Sequence, residues 1–260
     1  MSATDIERRS ADWVEESAFG KWFLRTKTWE INVLNRALND LERLMAPKRD
    51  RYPVILDVGC GYGHALPMLD ERFNPDEIIG LEVDPQVAWS ASAKAETCRC
   101  RFRLLIGNAA SVDLPDQCVD LLFCHQTFHH IVDQESAIRE FYRVLKPGAV
   151  LLFAESCRRY IHSFLIRVLF RHPMDVQKTD VEYIELIERA GFTVRPDAVS
   201  RPFLWWSRQD LGLLEKLGYG EPEGEREETL VNLIATRPGA ASARAEIRNQ
   251  PAVGQHAEPE

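Results

Sequence analysis

Short apolar runs separated by amphipathic stretches form the main pattern of the chain. Runs of about four to eight residues rich in Val, Ile, Leu and Phe predict buried strands, and longer segments with an apolar residue every third or fourth position predict helices. Strands are expected at residues 54–57, 77–83, 101–106, 119–124 and 149–154, from residue 192, and at 229–236. Strands that alternate with helices are typical of an α/β domain with a mainly parallel sheet.

Several predicted helices have clear starts and ends. N-caps are expected at Asp84, Asp133 and Thr179. The segment Lys-Pro-Gly at 146–148 is expected to stop the helix that follows Asp133. A longer helix is expected over residues 22–45, with its apolar face formed by Ile31, Leu34, Leu38, Leu41 and Met45.

Residues 158–171 combine evenly spaced polar side chains with an otherwise apolar segment. On one helix, Arg159, Ser163, Arg167 and Arg171 form a single polar stripe. A basic amphipathic helix can lie on a membrane surface or cover a lipophilic substrate. It can equally pack on the core with its arginines in water. Peripheral membrane contact through this segment is therefore one of two open expectations.

Composition narrows the class of protein. The chain has 260 residues, of which 45% are hydrophobic and 28% charged, as in ordinary soluble domains. Its net charge of −8 argues against a nucleic-acid partner, which needs a basic surface. No apolar run is long enough to cross a membrane, and the polar residues 1–10 lack the apolar core of a secretory signal. The six cysteines follow no zinc-site spacing, so reduced thiols and a cytoplasmic location are expected.

Three glycines at alternate positions follow the first predicted strand, in the stretch 54–64. Gly59, Gly61 and Gly63 let the chain turn sharply and let a ligand approach the backbone. Apolar residues at helical spacing then predict a helix over residues 65–73. A strand, a glycine turn and a helix in this order indicate a nucleotide crevice.

The details of this turn distinguish between nucleotides. The dinucleotide pattern Gly-x-Gly-x-x-Gly is not met, because His64 stands at its third glycine position. Asp57 precedes the turn, where its charge would repel a pyrophosphate and suit a cationic ligand. The segment 57–63, Asp-Val-Gly-Cys-Gly-Tyr-Gly, resembles motif I of the class I S-adenosylmethionine-dependent methyltransferases. Their ligand has no phosphate and carries a sulfonium and an ammonium group.

Further segments resemble the same family, in the same order. Glu82 ends the second predicted strand 23 residues after Gly59, where an acidic side chain holds a ribose. Asn108 stands where the family commonly has Asp, and its amide oxygen can still accept from an adenine amino group. Residues 125–131, His-Gln-Thr-Phe-His-His-Ile, resemble the ubiquinone/menaquinone-biosynthesis-like branch, also called methyltransferase type 11.

The resemblance implies a doubly wound, seven-stranded, mostly parallel sheet of the Rossmann-like methyltransferase type, with its last strand reversed. It also implies an N-terminal helical extension that lies over the cofactor as a lid, with Trp22, Phe23 and Trp29 on the substrate side. The cofactor would be S-adenosylmethionine, and Asp57 would face its ammonium group. The cofactor-binding residues implied are Asp57, Gly59, Gly61, Glu82, Val83, Asn108, Ala109 and His125.

The loop after the fourth predicted strand is expected to meet the transferred methyl group. His129 and His130 are the catalytic candidates there, because histidine titrates near neutrality and can accept a substrate proton. A structural or cofactor-shaping role is the alternative. A metal site is not expected, on the reasoning that adjacent side chains point apart and that no third ligand stands at a suitable spacing nearby.

The expected organisation has three parts: a helical extension or lid at 1–50, a cofactor-binding domain at 51–237 and a disordered tail at 238–260. A leucine-rich helix is expected at 211–217. The expected function is methyl transfer from S-adenosylmethionine to a small-molecule acceptor, lipophilic acceptors included. Two rivals stay open, an NAD(P)-dependent oxidoreductase and a binding module that keeps the fold without turnover. The accepting atom and the oligomeric state have no sequence signal.

Overall fold

The computed structural model describes residues 13–45, 47–207, 217–218 and 227–239. The helix expected at 211–217 and the tail expected at 238–260 fall almost entirely outside these ranges, and Leu217 lies in a turn. The three-part division of the chain therefore stays a prediction.

Seven strands form one sheet in the order β3-β2-β1-β4-β5-β7-β6. Their bounds are β1 Val54–Val58, β2 Glu77–Glu82, β3 Arg101–Ile106, β4 Val119–His125, β5 Leu145–Ser156, β6 Thr193–Ser200 and β7 Leu230–Thr236. Strands β1 to β5 pair in parallel. Strand β7 lies between β5 and β6 and runs antiparallel to both. The expected mostly parallel sheet with a reversed last strand is confirmed.

Helices cover both faces of this sheet. In chain order they are α1 Ala18–Phe23, α2 Lys27–Trp29, α3 Asn35–Leu44, α4 Ala65–Phe73, α5 Pro85–Ala95, α6 Gln134–Val144, α7 Arg158–Ile161, α8 Phe164–Leu169 and α9 Asp180–Arg189. Ile55 belongs to a buried cluster with α3, α4 and α5, whereas its neighbour Leu56 belongs to a second cluster with α6 and α9. Successive strand residues thus face opposite layers, as a doubly wound fold requires.

The predicted N-caps are confirmed. Each side chain accepts a hydrogen bond from an amide of the first helical turn: Asp84 from Gln86, Asp133 from Ser136 and Thr179 from Glu182. Glu182 also accepts from the Thr179 amide and so completes a capping box. These caps fix where α5, α6 and α9 leave the strand ends.

The single helix expected over residues 22–45 is interrupted. It consists of α1, α2, a π-helical turn at Glu30–Leu34 and α3. Ile31 is 55% exposed, although Leu34, Leu38 and Leu41 are buried as expected. Ile31 lies within the π-helical turn, whose hydrogen bonds join residues five apart, and this wider winding rotates its side chain away from the apolar face of α3.

The boundary between α6 and β5 also differs from the expectation. Helix α6 ends at Val144, and residues 146–148 belong to β5 and do not stop the helix. The pairing of β4 with β5 shifts register between Val119 and Leu121, opposite this Lys-Pro-Gly segment. The missing proline amide and the positive φ of Gly148 (79°) produce a bulge at the start of the strand.

The prediction of one continuous amphipathic helix at residues 158–171 is wrong. Helices α7 and α8 are separate, with Ser163 at the N-terminus of α8. The polar stripe is therefore broken, but α8 still exposes 84% of Phe164 and 64% of Val168. Peripheral membrane contact stays a prediction. Among the described residues, no helix has the length and apolarity needed to cross a bilayer.

Candidate active site

The carboxyl ends of β1, β2, β3 and β4 open into one cavity beside the glycine turn. Every residue predicted to bind the cofactor lines this cavity: Asp57, Gly59, Gly61, Glu82, Val83, Asn108, Ala109 and His125. Of the two catalytic candidates, His130 lines the cavity as well, whereas His129 is buried behind it. A cluster of side chains at the carboxyl edge of adjacent parallel strands is the usual ligand crevice of this fold class.

Two glycines shape the floor of the cavity, and both have a left-handed backbone. Gly59 has φ +70°, and a Cβ there would overlap the Thr127 side chain. Gly61 has φ +52°, and the nearest atom to a Cβ there would be 3.8 Å away. Residue 59 must therefore be glycine because Thr127 occupies the space of a side chain. At Gly61 the corresponding space is open and can hold a ligand.

Glu82 holds the glycine turn against the end of β2. Its Oε2 accepts from the Gly61 amide at 3.0 Å, and its Oε1 accepts from the amides of Val83 at 2.9 Å and Asp84 at 3.1 Å. Burial raises the pKa of Glu82, and these amides work in the opposite direction. A carboxylate offers about four acceptor positions, so Glu82 keeps capacity for a ligand hydroxyl.

Asp57 is a buried carboxyl group that lacks a full set of partners. Its side chain is 2% exposed, and its Oδ2 has no hydrogen-bond partner. Burial, together with the nearby charge of Glu82, raises the pKa of Asp57 to about 8. A buried acid of this kind becomes an anion readily only beside a positive charge. The orphaned oxygen on the cavity wall therefore fits a cationic ligand.

Asn108 already uses its side chain within its own loop. Its Oδ1 accepts from the Ala110 amide at 2.9 Å, and its backbone carbonyl accepts from the Ser111 amide at 3.0 Å. The amide oxygen has a second lone pair. The predicted adenine contact would be made by a side chain whose orientation these bonds fix.

His125 is positioned by aromatic rings. It stacks on Phe123 with centroids 5.8 Å apart and meets the edge of Trp29 at 5.6 Å. Burial lowers the pKa of His125 to about 3. Its Nε2 is buried without a hydrogen-bond partner. His125 is thus a neutral ring on the cavity wall.

The N-terminal segment forms the opposite wall of the cavity. Trp13 pairs with Ile131 in an antiparallel bridge, and Lys21 Nζ lies 3.3 Å from Asp84 Oδ2 at the end of β2. Of the three aromatic residues expected on the substrate side, Trp29 lines the cavity. The other two do not: Trp22 is 60% exposed, and Phe23 packs against Phe170 with centroids 5.9 Å apart.

Glu155 supports the loop after β4 and was not among the residues predicted from the sequence. It is fully buried near the end of β5, and its Oε1 accepts from the amides of Thr127 at 2.8 Å and Phe128 at 2.7 Å. Its Oε2 lies 2.6 Å from His129 Nδ1. The carboxylate thus fixes the loop after β4. A charged residue inside an apolar strand was the available signal, because such groups are seldom buried without partners.

The histidine geometry contradicts the reasoning used against a metal site. The rings of His129 and His130 lie with centroids 4.4 Å apart, so they do not point away from each other. His172 supplies the third imidazole, 5.1 Å from His129 and 4.7 Å from His130. The tight turn at Phe128–His130 brings the adjacent rings to one side, and His172 arrives from a distant loop.

Comparison with known proteins adds a family assignment for part of the chain. A sequence-family model described as "Methyltransferase domain" matches residues 56–153. The chain is 35% identical over 116 residues to a demethylmenaquinone methyltransferase of Thermus thermophilus, covering 45% of this chain and 50% of that protein. It is 31% identical over 126 residues to malonyl-(acyl-carrier protein) O-methyltransferase 1 of Coxiella burnetii, covering 48% of this chain and 41% of that protein. The chain therefore spans half or less of the length of these relatives.

The solved structures show the same fold. One chain in the complex between the Haloferax volcanii Trm112 methyltransferase activator and a methyltransferase superposes with a TM-score of 0.63. The alignment covers 86% of this chain and 99% of the other, at 20% sequence identity. At that identity the likeness concerns the fold alone.

Proposed function

We propose that this protein transfers a methyl group from S-adenosylmethionine to a small-molecule acceptor, as the match of residues 56–153 to a methyltransferase-domain model supports. Two features of the cavity support this most directly: the free space at Gly61 and the buried carboxyl group of Asp57. Gly61 leaves space for a ligand, and the orphaned Oδ2 of Asp57 lies on the wall of the same cavity. A positively charged nucleoside without phosphates satisfies both features.

The roles of the cofactor-side residues follow from their positions. Asp57 would face the ammonium group, Glu82 would accept from the ribose hydroxyls, and Asn108 would accept from the adenine amino group. When bound, the cofactor supplies a methyl group already activated by a sulfonium sulfur. The chain's own contribution is to hold the acceptor in line with that methyl group and to exclude water.

The acceptor would lie between the histidine loop and the N-terminal segment. This part of the cavity is lined by Trp13, Leu24, Trp29, His130 and Ile131. A mainly apolar wall with aromatic rings favours a compact acceptor with a flat or apolar part. The net charge of −8 speaks against a nucleic acid as the acceptor.

His130 lies where a general base would be needed, but its pKa is too low for that role. Burial and the neighbouring His129 and His172 lower the pKa of His130 well below 6.5. A base with so low a pKa holds an abstracted proton poorly at neutral pH. An acceptor that is already acidic would need no protein base.

Binding measurements separate this function from the oxidoreductase alternative. Calorimetric titration should show binding of S-adenosylmethionine and none of NADH. Gly61→Glu should abolish binding, because the side chain would fill the open floor of the cavity. Gly148→Glu is the matched control, since Gly148 also has a left-handed backbone (φ +79°) and does not line the cavity. Undiminished affinity in Gly61→Glu would show that the cofactor binds elsewhere.

Turnover separates an enzyme from a binding module. The full chain is incubated with methyl-labelled S-adenosylmethionine and a fractionated small-molecule extract. Label in an extract compound, absent with Gly61→Glu, supports the enzyme. Tight cofactor binding without label transfer in any fraction would favour the module.

A further inference from the structure

Three histidines meet beside the cavity, and His130 is the one of them that lines it. His129 and His130 belong to the turn at Phe128–His130, and His172 precedes Pro173 in the loop after α8. One ring nitrogen from each lies within 4.8 Å of the other two. In the part of the chain that the structure describes, this is the one group of three side chains placed to hold a metal ion.

His129 is oriented as a metal-binding histidine usually is. Glu155 is fully buried and lies 2.6 Å from His129 Nδ1, so this nitrogen carries the proton and donates to the carboxylate. The lone pair is then on Nε2. A carboxylate behind a histidine fixes the tautomer and raises the basicity of the metal-facing nitrogen.

The loop that carries His172 is tied to His129. Gln177 Nε2 donates to the carbonyl of His129 at 2.8 Å and to the carbonyl of Pro173 at 2.7 Å. His172 Nδ1 is buried and has no hydrogen-bond partner. A buried imidazole nitrogen without a partner needs an explanation, because such groups are normally satisfied.

An acid lies beside the three rings. Glu16 Oε2 is 3.9 Å from His130 Nε2, and Glu16 Oε1 accepts from the Arg171 amide at 3.0 Å. Glu16 and His130 both line the cavity. His130 is therefore the member of the group that reaches the space proposed for the acceptor.

We propose that His129, His130 and His172 bind one divalent transition-metal ion of the zinc type beside the cavity, next to the wall that His130 forms. Three imidazoles suit zinc, and they leave a further coordination position open. Around a zinc ion with bonds of about 2.0–2.1 Å the nitrogens stand about 3.3 Å apart, so the rings draw together when the ion binds.

The open position deepens the proposed function, on which this step rests. An acceptor with a hydroxyl or enol oxygen can bind there, and the ion lowers the pKa of that oxygen, whose proton passes to solvent. The oxygen then forms a bond to the methyl carbon while the carbon–sulfur bond breaks, leaving a neutral thioether.

The test uses the full chain without an affinity tag. The protein is treated with a chelator to remove bound metal, is then incubated with Zn²⁺ and is desalted. Elemental analysis should find one zinc per chain, and Co²⁺ should give the visible absorption bands of a low-coordinate site. His172→Ala should weaken zinc binding at least about tenfold, as loss of a ligand does. His162→Ala is the matched control, since His162 lies on the same stretch of chain and outside the group.

Three outcomes overturn the proposal: a zinc content far below one per chain, a cobalt spectrum like that of the aqueous ion, or unchanged affinity in a folded His172→Ala. Cofactor titration of the stripped protein keeps the two proposals apart. Zinc binding without S-adenosylmethionine binding would overturn only the proposed function. Cofactor binding without zinc binding would overturn only the metal site.

Discussion

The amide of Gly61 donates to Glu82 Oε2 at 3.0 Å, and this bond joins the glycine turn to the end of the neighbouring strand. The same carboxylate accepts from the amides that follow β2. The residue proposed to hold the ribose thus also sets the shape of the turn that admits the cofactor. Binding and loop geometry depend on one side chain.

Replacement of Glu82 should weaken the cofactor site. Glu82→Ala removes the acceptor of three amides and the proposed ribose contact, so affinity for S-adenosylmethionine should fall at least about tenfold, equivalent to 1.4 kcal/mol. Calorimetric titration measures this. The control is Glu77→Ala at the other end of β2, where the side chain lies 3.4 Å from Arg103 and does not line the cavity. Equal losses in both variants would argue against the ribose role.

Cofactor binding should release a proton near Asp57. The pKa of Asp57 is about 8 in the free protein because of burial and Glu82, so the group is mostly protonated at pH 7. An ammonium group favours its anion, and binding should therefore release up to one proton and tighten as the pH rises toward 8. Calorimetry in buffers of different ionisation enthalpy counts the proton. Asp57→Asn should abolish the release, and its persistence in that variant would assign the proton to another group.

Asp57 should also make the free protein less stable as the pH rises. The pKa of Asp57 lies at about 8 in the folded chain against an ordinary 3.8, so the folded state keeps a proton that the unfolded state loses. The free energy of unfolding should fall across this window by about 1.4 kcal/mol per pH unit for that proton. Urea unfolding from pH 5 to 8, compared with Asp57→Asn, isolates the effect.

Asp113 is exposed, and Asp113→Asn is the control for the pH dependence of unfolding in Asp57→Asn. It should leave the slope of stability against pH unchanged, because its charge is solvated in both states. If Asp57→Asn keeps the slope of the original protein, the buried acid is already ionised.

Loss of Glu155 should be costly for folding. Glu155→Ala leaves the amides of Thr127 and Phe128 and the Nδ1 of His129 without their shared acceptor in a fully buried site. Removal of one partner from such a network costs about 3 to 5 kcal/mol. Urea unfolding measures the change. Glu185→Ala, on the exposed face of α9, should stay within about 0.5 kcal/mol, and a similar small value for Glu155→Ala would mean that water replaces the carboxylate.

The cofactor-side residues could be predicted from the sequence because their placement is local. Asp57, Glu82 and His125 each stand at or near the carboxyl end of a strand whose apolar run is easy to recognise. Parallel strands bring all such ends to one edge of the sheet, so no long-range information was needed. Their roles toward the cofactor stay predictions.

The histidine group could not be predicted in the same way. His172 lies in an irregular loop whose course is set by the hydrogen bonds of Gln177 to His129 and Pro173. Neither apolar periodicity nor a motif encodes such tertiary contacts. The same holds for Ile31, which the π-helical turn leaves exposed despite its helical spacing.

The cavity has two walls of different origin. Strands of the sheet form one wall, which includes Asp57 and Glu82. The N-terminal segment forms the other wall, with Trp13, Leu24 and Trp29. Under the proposed function, exchanging residues 13–24 between related chains would change the preferred acceptor more than the affinity for the methyl donor. Under the proposed function, part of the acceptor contacts therefore lies on a stretch of chain outside the sheet.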